Sequence, residues 1–158
     1  MTRTRLGRRA IIALVTLVAV STGAAACSGR PATPSGPLTV RNAWARPADS
    51  GAIGGAYVTI TNTDTVSLTL TGWQTPLAAQ TDVHETMQME GMTHMMARTD
   101  ITLPRDSSLV MAPGGVHVML TGLTRALRTG DTIPLTVTLR DGRTVPMRVP
   151  VRDAATTP

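Results

Sequence analysis

The sequence predicts an all-β domain, a Greek-key sandwich or small barrel of about seven to nine strands. Short stretches alternate apolar and polar residues and are rich in Val, Thr, Leu and Ile, which is typical of strands with one buried face. No segment after the first 27 residues carries a sustained helical stripe of apolar residues. The alternating stretches are residues 38–44, 55–61, 66–73, 116–120, 133–139 and 144–149.

Turn residues separate these stretches at short intervals, as expected for antiparallel strands joined by tight connections. Asp141-Gly142 lies between two alternating stretches and is a strong signal for a two-residue hairpin. Other turn signals lie at residues 62–64, 90–91, 104–106, 113–115 and 129–131. The chain has 158 residues, which is enough for one domain, and we place it at residues 38–152 with a tail at 153–158.

The first 26 residues have the pattern of a secretory signal peptide. Four arginines precede an apolar run at residues 10–20, which is followed by small residues. The run is short for a membrane span. Removing this segment leaves 11 Arg against 10 acidic residues, a net charge of +1. The basic character of the whole chain therefore gives no support to nucleic-acid binding.

The single cysteine, Cys27, directly follows the small-residue stretch. This position resembles a bacterial lipobox, which implies a lipidated Cys27 and a protein anchored to the outer face of the cell membrane. An ordinary signal peptide with an incidental cysteine is the alternative. Residues 27–37 contain three Pro and two Gly, so we expect a linker between the anchor and the domain.

Methionine and histidine are concentrated in one part of the chain. Thioether sulfur is a soft donor without a proton to lose, and a mixed Met and His set suits Cu(I) better than Zn²⁺, Mg²⁺ or Ca²⁺. The concentration therefore indicates a Cu(I) site in an exported protein. The residues are His84, Met87, Met89, Met92, His94, Met95 and Met96, followed by His117 and Met119.

Strand geometry indicates which of these side chains share a face. His117 and Met119 are two residues apart on a predicted strand, so both point to one side. We expect residues 81–87 and 92–98 to form a hairpin whose four-residue connection sets His84 nearly opposite Met95.

The alternative is that methionines fill a core that has no Phe. We assign Met111 and Met147 to such core filling, or to simple exposure. For Met87, Met89 and Met96 both interpretations stay open, because strand parity puts them opposite Met95 or in the loop. His94 is either an accessory donor or a solvated strand residue.

The spacing His84-x10-Met95-x21-His117-x-Met119 resembles the periplasmic Cu(A) copper chaperone family, PCu(A)C. The likeness extends over about residues 38–150 and includes segments 42–47, 55–62, 83–85 and 113–120. It implies a cupredoxin-like β-fold that binds one Cu(I) ion through these four residues. It also implies copper delivery to the Cu(A) subunit of cytochrome c oxidase or to another copper-assembly protein. The candidate accessory ligands are Met87, Met89, Met92, His94 and Met96.

The chain lacks the residues that electron transfer or enzymatic catalysis would require. An electron-transfer cupredoxin needs a Cys thiolate in its copper site, and Cys27 lies in the candidate lipidation site. The chain has three His and neither a G-x-S-x-G nor an H-E-x-x-H motif, so we expect no enzyme. A copper-buffering protein without a dedicated acceptor remains the alternative to a chaperone.

Overall fold

A computed structural model describes residues 36–89 and 91–153 of the chain. The described residues form ten β-strands, and every strand pairing is antiparallel. The strands are β1 Leu38–Ala45, β2 Gly54–Asn62, β3 Leu68–Gln74, β4 Ala78–Met89, β5 Met92–Ala97, β6 Ile101–Leu103, β7 Ser108–Val110, β8 Val116–Leu123, β9 Thr132–Leu139 and β10 Thr144–Pro150.

The strands form two sheets. The first has the order β1-β2-β8-β4-β5, and β7 also pairs with β2. The second has the order β10-β9-β3-β6. An isolated parallel bridge between Ala45 and Val151 links the end of β1 to the residue after β10. This architecture confirms the all-β prediction, and it exceeds the expected strand number because β6 and β7, with three residues each, are too short to show an alternating pattern.

Alternation along the strands places the core between the sheets. In β9, Ile133, Leu135, Val137 and Leu139 are buried and the residues between them are more exposed. In β8, Val118 and Leu120 are buried and their neighbours are only partly so. The interior is mainly aliphatic, as expected from a sequence without Phe. Each sheet therefore has one core face and one outer face, and the outer face of the first sheet is available for a site.

Two methionines belong to this core. Met111 is 4% exposed and Met147 is 7% exposed. Met147 lies in β10, where it pairs with the buried Leu135. The expectation that these two residues fill apolar space is confirmed.

The features expected at the two ends of the chain lie mostly outside the described residues. These are the signal peptide, Cys27, most of the linker and the tail after Asp153. Within the described residues, we find no helix with the length and apolarity needed to cross a membrane.

Candidate metal centre

Strands β4 and β8 bring two histidines together on the outer face of the first sheet. His84 and His117 are directly opposite each other in the antiparallel register. Their ring centroids are 6.3 Å apart, with 32° between the ring planes. The next residues, Val83 and Val118, also oppose each other and are buried in the core. Burial of this valine pair turns the two imidazoles outward.

The two methionines of the predicted pattern lie on the same face. Met119 is two residues after His117 and is opposite Asp82. Met95 lies in β5 opposite Thr86, which is two residues after His84. Because side chains alternate with a period of two, Met95 and Met119 point to the same side of the sheet as the histidines.

The expected register of the β4–β5 hairpin is wrong by two residues. His84 pairs with Ala97 instead of Met95, and Met89 pairs with Met92 next to a two-residue connection. Gly91 has φ of 79°, the left-handed conformation that such short connections require. The shorter turn extends β4 to Met89, and since the shift is an even number of residues, Met95 keeps its face.

An open cavity of about 220 Å³ joins three of the four residues. Met95, His117 and Met119 line it together with Arg46 and Tyr57. Met95 is 59% exposed, whereas His117 and Met119 are half-buried. Met95 is therefore the accessible part of the site, and Met119 and the imidazoles lie closer to the sheet.

Hydrogen bonding leaves an imidazole nitrogen available on each histidine. The Nδ1 of His117 is 3.1 Å from the carbonyl oxygen of Gly115. A carbonyl only accepts, so Nδ1 carries the proton and Nε2 has a free lone pair. The Nδ1 of His84 is buried and has no hydrogen-bond partner within the described part of the chain. A buried polar atom without a partner is costly, and a bound metal ion would satisfy it.

The chemistry of the donors favours a soft ion. Among the described residues, no group of three or more His, Cys, Asp and Glu side chains is arranged to hold a metal. Two imidazoles alone are a poor site for Zn²⁺, and thioethers are needed to complete the set. Neutral sulfur and nitrogen donors fit Cu(I).

The rings of Tyr57 and Trp44 lie beside His117 and form what we call the aromatic wall. The sequence pattern did not predict this feature. The ring centroids of Tyr57 and His117 are 6.4 Å apart, and those of Tyr57 and Trp44 are 4.6 Å apart. The guanidinium of Arg46 lies 5.5 Å from the Tyr57 centroid, and that of Arg152 lies 5.5 Å from the Trp44 centroid. These tilted ring contacts form a continuous group of side chains on one side of the His117 ring.

Two backbone features place this wall. The β1–β2 register shifts between Arg41 and Trp44, where Asn42 has φ of 50°, and after this shift Trp44 is opposite Tyr57. Gly55 is opposite Met119, and a Cβ on it would be 3.1 Å from the Tyr57 hydroxyl. Bulges and close ring contacts leave no periodic signal in the sequence, which explains why the wall was not predicted.

The two acids of β4 that are nearest to His84 lie on opposite faces of the sheet. Glu85, adjacent to His84 in the chain, points to the opposite face and forms an ion pair with Arg98. Asp82, two residues before His84, shares the face of the histidines and is opposite Met119. The period-two spacing could have identified Asp82 as the acid on this face.

The structure does not bring the candidate accessory ligands to the four-residue site. Register and parity put them on the other face of the β4–β5 hairpin, the one to which Val83 points. These residues are Met87, Met89, Met92, His94 and Met96.

Comparisons with known proteins agree with this architecture. Residues 38–151 match the family model described as "Putative lipoprotein LpqE-like". A protein of Leifsonia xyli subsp. xyli, described as "Putative lipoprotein Lxx21020", is 33% identical over 101 residues, which are 63% of this chain. The chain spans 60% of the length of that relative.

Solved structures with the same fold include copper-binding domains. The Cu(I)-bound solution structure of DR1885 from Deinococcus radiodurans is 32% identical, with a TM-score of 0.57, and the match covers 73% of this chain and 79% of that one. The copper-bound PCuAC domain from PmoF2 matches with a TM-score of 0.60 at 21% identity, over 74% of this chain and 93% of the domain. These likenesses confirm the resemblance to PCu(A)C proteins and the two-sheet fold.

Proposed function

The chain belongs to the LpqE-like lipoprotein family, and on this premise we propose that it is an extracytoplasmic Cu(I) metallochaperone. At this site one Cu(I) ion is bound as cargo by His84, Met95, His117 and Met119. The observation that carries the proposal is the opposition of His84 and His117 on one sheet face, with both sulfurs on that face. The Cu(I)-bound relative from Deinococcus radiodurans, 32% identical, supports the choice of metal.

Capture and release follow from the exposure of the donors. Met95 is the most accessible of the four and lies at the mouth of the cavity, so it makes the first and last contact with an incoming or leaving ion. The imidazoles then supply stronger donors, held in place by the buried Val83–Val118 pair beneath them. All four ligands are neutral, and a d10 ion imposes little geometric preference, so an acceptor can replace them one at a time.

The site carries copper and does no chemistry on it. It contains no thiolate, so it lacks the ligand of an electron-transfer copper centre. The acid on its face, Asp82, is directly opposite Met119, whose thioether has no proton to exchange in acid–base catalysis. We therefore propose a non-catalytic protein.

We further propose that the protein is exported and acts at the membrane surface. Residues 1–26 are the signal peptide, Cys27 is the lipidated residue, and residues 27–37 are a spacer to the copper domain at 38–152. The acceptor is the Cu(A) subunit of cytochrome c oxidase or another copper-assembly protein. A lipid anchor restricts donor and acceptor to the same surface, which raises their effective concentration.

Copper transfer tests delivery against storage. The Cu(I)-loaded chain, in a Cys27→Ser background, is mixed without oxygen with an apo Cu(A) domain, and the two are then separated. We expect copper in the acceptor and, after air oxidation, the thiolate-to-copper absorption of Cu(A). Copper that stays with the donor, under conditions where free Cu(I) loads the acceptor, would support the buffering alternative.

A further inference from the structure

The β4–β5 hairpin carries a second group of soft donors on its back face, defined as the face opposite His84 and Met95. Met87 is directly opposite His94, and Met89 is directly opposite Met92. Met96 lies on the same face as His94, two residues further along β5. The front-face and back-face groups share no residue.

These back-face side chains do not fill the core. Met89, Met92 and Met96 are 55%, 59% and 53% exposed. The pairing of β4 with β8 ends at Glu85, so the hairpin extends beyond its neighbouring strand from Thr86 onward. The core-filling role that explains Met111 and Met147 is thereby excluded for these three residues.

Cross-strand geometry puts the donors within reach of one ion. Directly opposed residues have Cβ atoms about 4.5–5.5 Å apart, and diagonal neighbours lie about 7–8 Å apart, within reach of long side chains. Met92 and Met96 are the two diagonal neighbours of Met87, on either side of His94. Flexible thioethers can close around an imidazole from three directions.

The charges around this group favour a soft cation over a hard one. Glu85 is the carboxylate on this face, and its ion pair with Arg98 occupies it. The remaining donors are neutral sulfur and imidazole nitrogen, which select Cu(I) over Mg²⁺, Ca²⁺ or Mn²⁺. We propose that Met87, His94, Met92 and Met96 form a second Cu(I) site, separate from the front-face site.

The second site does not depend on the proposed function of the first, because the two groups of donors point to opposite sides of one hairpin. Its test is an anaerobic titration of the purified chain, in a Cys27→Ser background, with Cu(I) held by a chromophoric chelator. We expect the chain to take a second equivalent of Cu(I) after the first. A Met87→Leu, His94→Ala variant should lose one equivalent, and Leu preserves most of the methionine volume.

Matched variants separate the two sites. A Met95→Leu, Met119→Leu variant removes the front-face thioethers and should retain the back-face equivalent. A Met111→Leu, Met147→Leu variant changes two buried methionines and should retain both equivalents. Methyl NMR of labelled methionine in the front-face variant should show Cu(I)-dependent shifts at Met87, Met92 and Met96.

Three results would overturn the proposal. These are a single equivalent in the unmodified chain that the Met87→Leu, His94→Ala variant retains, a second equivalent that survives in that variant, and unshifted back-face methyl signals in the front-face variant. Loss of only the front-face equivalent in the Met95→Leu, Met119→Leu variant would support both sites. Loss of neither equivalent in that variant would reject the front-face site and leave the back-face test intact.

Discussion

His84 and His117 oppose each other on neighbouring antiparallel strands, with ring centroids 6.3 Å apart, although 32 residues separate them in the chain. Their side chains differ in hydrogen bonding. The Nδ1 of His117 is held by the Gly115 carbonyl, whereas the buried Nδ1 of His84 has no partner within the described residues. One imidazole is thus oriented by the protein, and a bound metal ion would give the other a partner.

Loss of one front-face ligand should weaken Cu(I) binding by more than about tenfold, or about 1.4 kcal/mol. His117→Ala and Met119→Leu each remove one of the four proposed donors. Water is a poor replacement for a soft ligand on Cu(I), so the lost donor is not made up by solvent. Competition with a Cu(I) chelator measures the change, and Met147→Leu is the buried control. Protonation competes with the metal for imidazole, so affinity should also fall in mildly acidic buffer. Unchanged affinity in both ligand variants would contradict the assignment.

Substitution of a core methionine should lower the unfolding free energy of the metal-free protein much more than substitution of a methionine at the proposed copper site. Met147→Ala leaves a cavity beneath the sheets and should lower the free energy of unfolding by about 2–5 kcal/mol. Met95→Ala removes an exposed side chain and should change it by no more than about 0.5 kcal/mol. Urea denaturation of the metal-free protein measures both. Equal losses would show that Met95 packs in solution.

The aromatic wall should support the site without binding the ion. Tyr57→Leu removes the ring contacts to Trp44 and His117, and we expect a loss of about 1–2 kcal/mol in unfolding free energy. Cu(I) affinity should fall by less than in His117→Ala, because all four donors remain. Chelator competition and urea denaturation on the same variant separate the two effects. A loss of affinity as large as that of His117→Ala would make Tyr57 part of the donor set.

Acid should weaken the contact between the 62–65 turn and the 141–143 hairpin turn. The backbone amide of Thr65, followed by Arg143, lowers the pKa of Asp64, and the backbone amide of Arg143 lowers the pKa of Asp141. A lowered folded-state pKa gives stabilisation that is present above the unfolded value, about 3.9, and is lost as pH falls through the folded value. Asp141 is exposed and Asp64 is half-buried at the surface, so the effect is small and sensitive to salt. Unfolding free energy from pH 7 to 3 should fall more steeply in the native chain than in Arg143→Gln.

Fractionation tests the proposed anchor. The wild-type protein should be found with the membrane, and Cys27→Ala should release it or block its processing, since a multiply acylated Cys binds a bilayer stably and alanine cannot be acylated. Immunoblots of membrane and soluble extracytoplasmic fractions give the distribution. A wild-type protein found entirely in the soluble fraction would reject the lipoprotein proposal.

Local pattern was sufficient to predict the longer strands and the faces of their side chains, but not the three-residue strands β6 and β7. Alternation in residues 116–120 placed His117 and Met119 together, and parity put Met87 and Met96 on the face opposite Met95. This assignment of side chains to faces stays correct despite the error in hairpin register, because a shift of two residues leaves every side chain on its face. These features depend on the two-residue period of an extended backbone, which each short segment carries by itself.

Only the tertiary structure decided which strands are neighbours and what surrounds the histidines. The β4–β8 pairing joins segments more than thirty residues apart, and it is selected because it buries Val83 against Val118. The Trp44–Tyr57 wall depends on a bulge in β1, and the ion pair of Glu85 with Arg98 depends on the true hairpin register. Such contacts arise when distant segments bury apolar surface together, a condition that no local stretch of sequence contains.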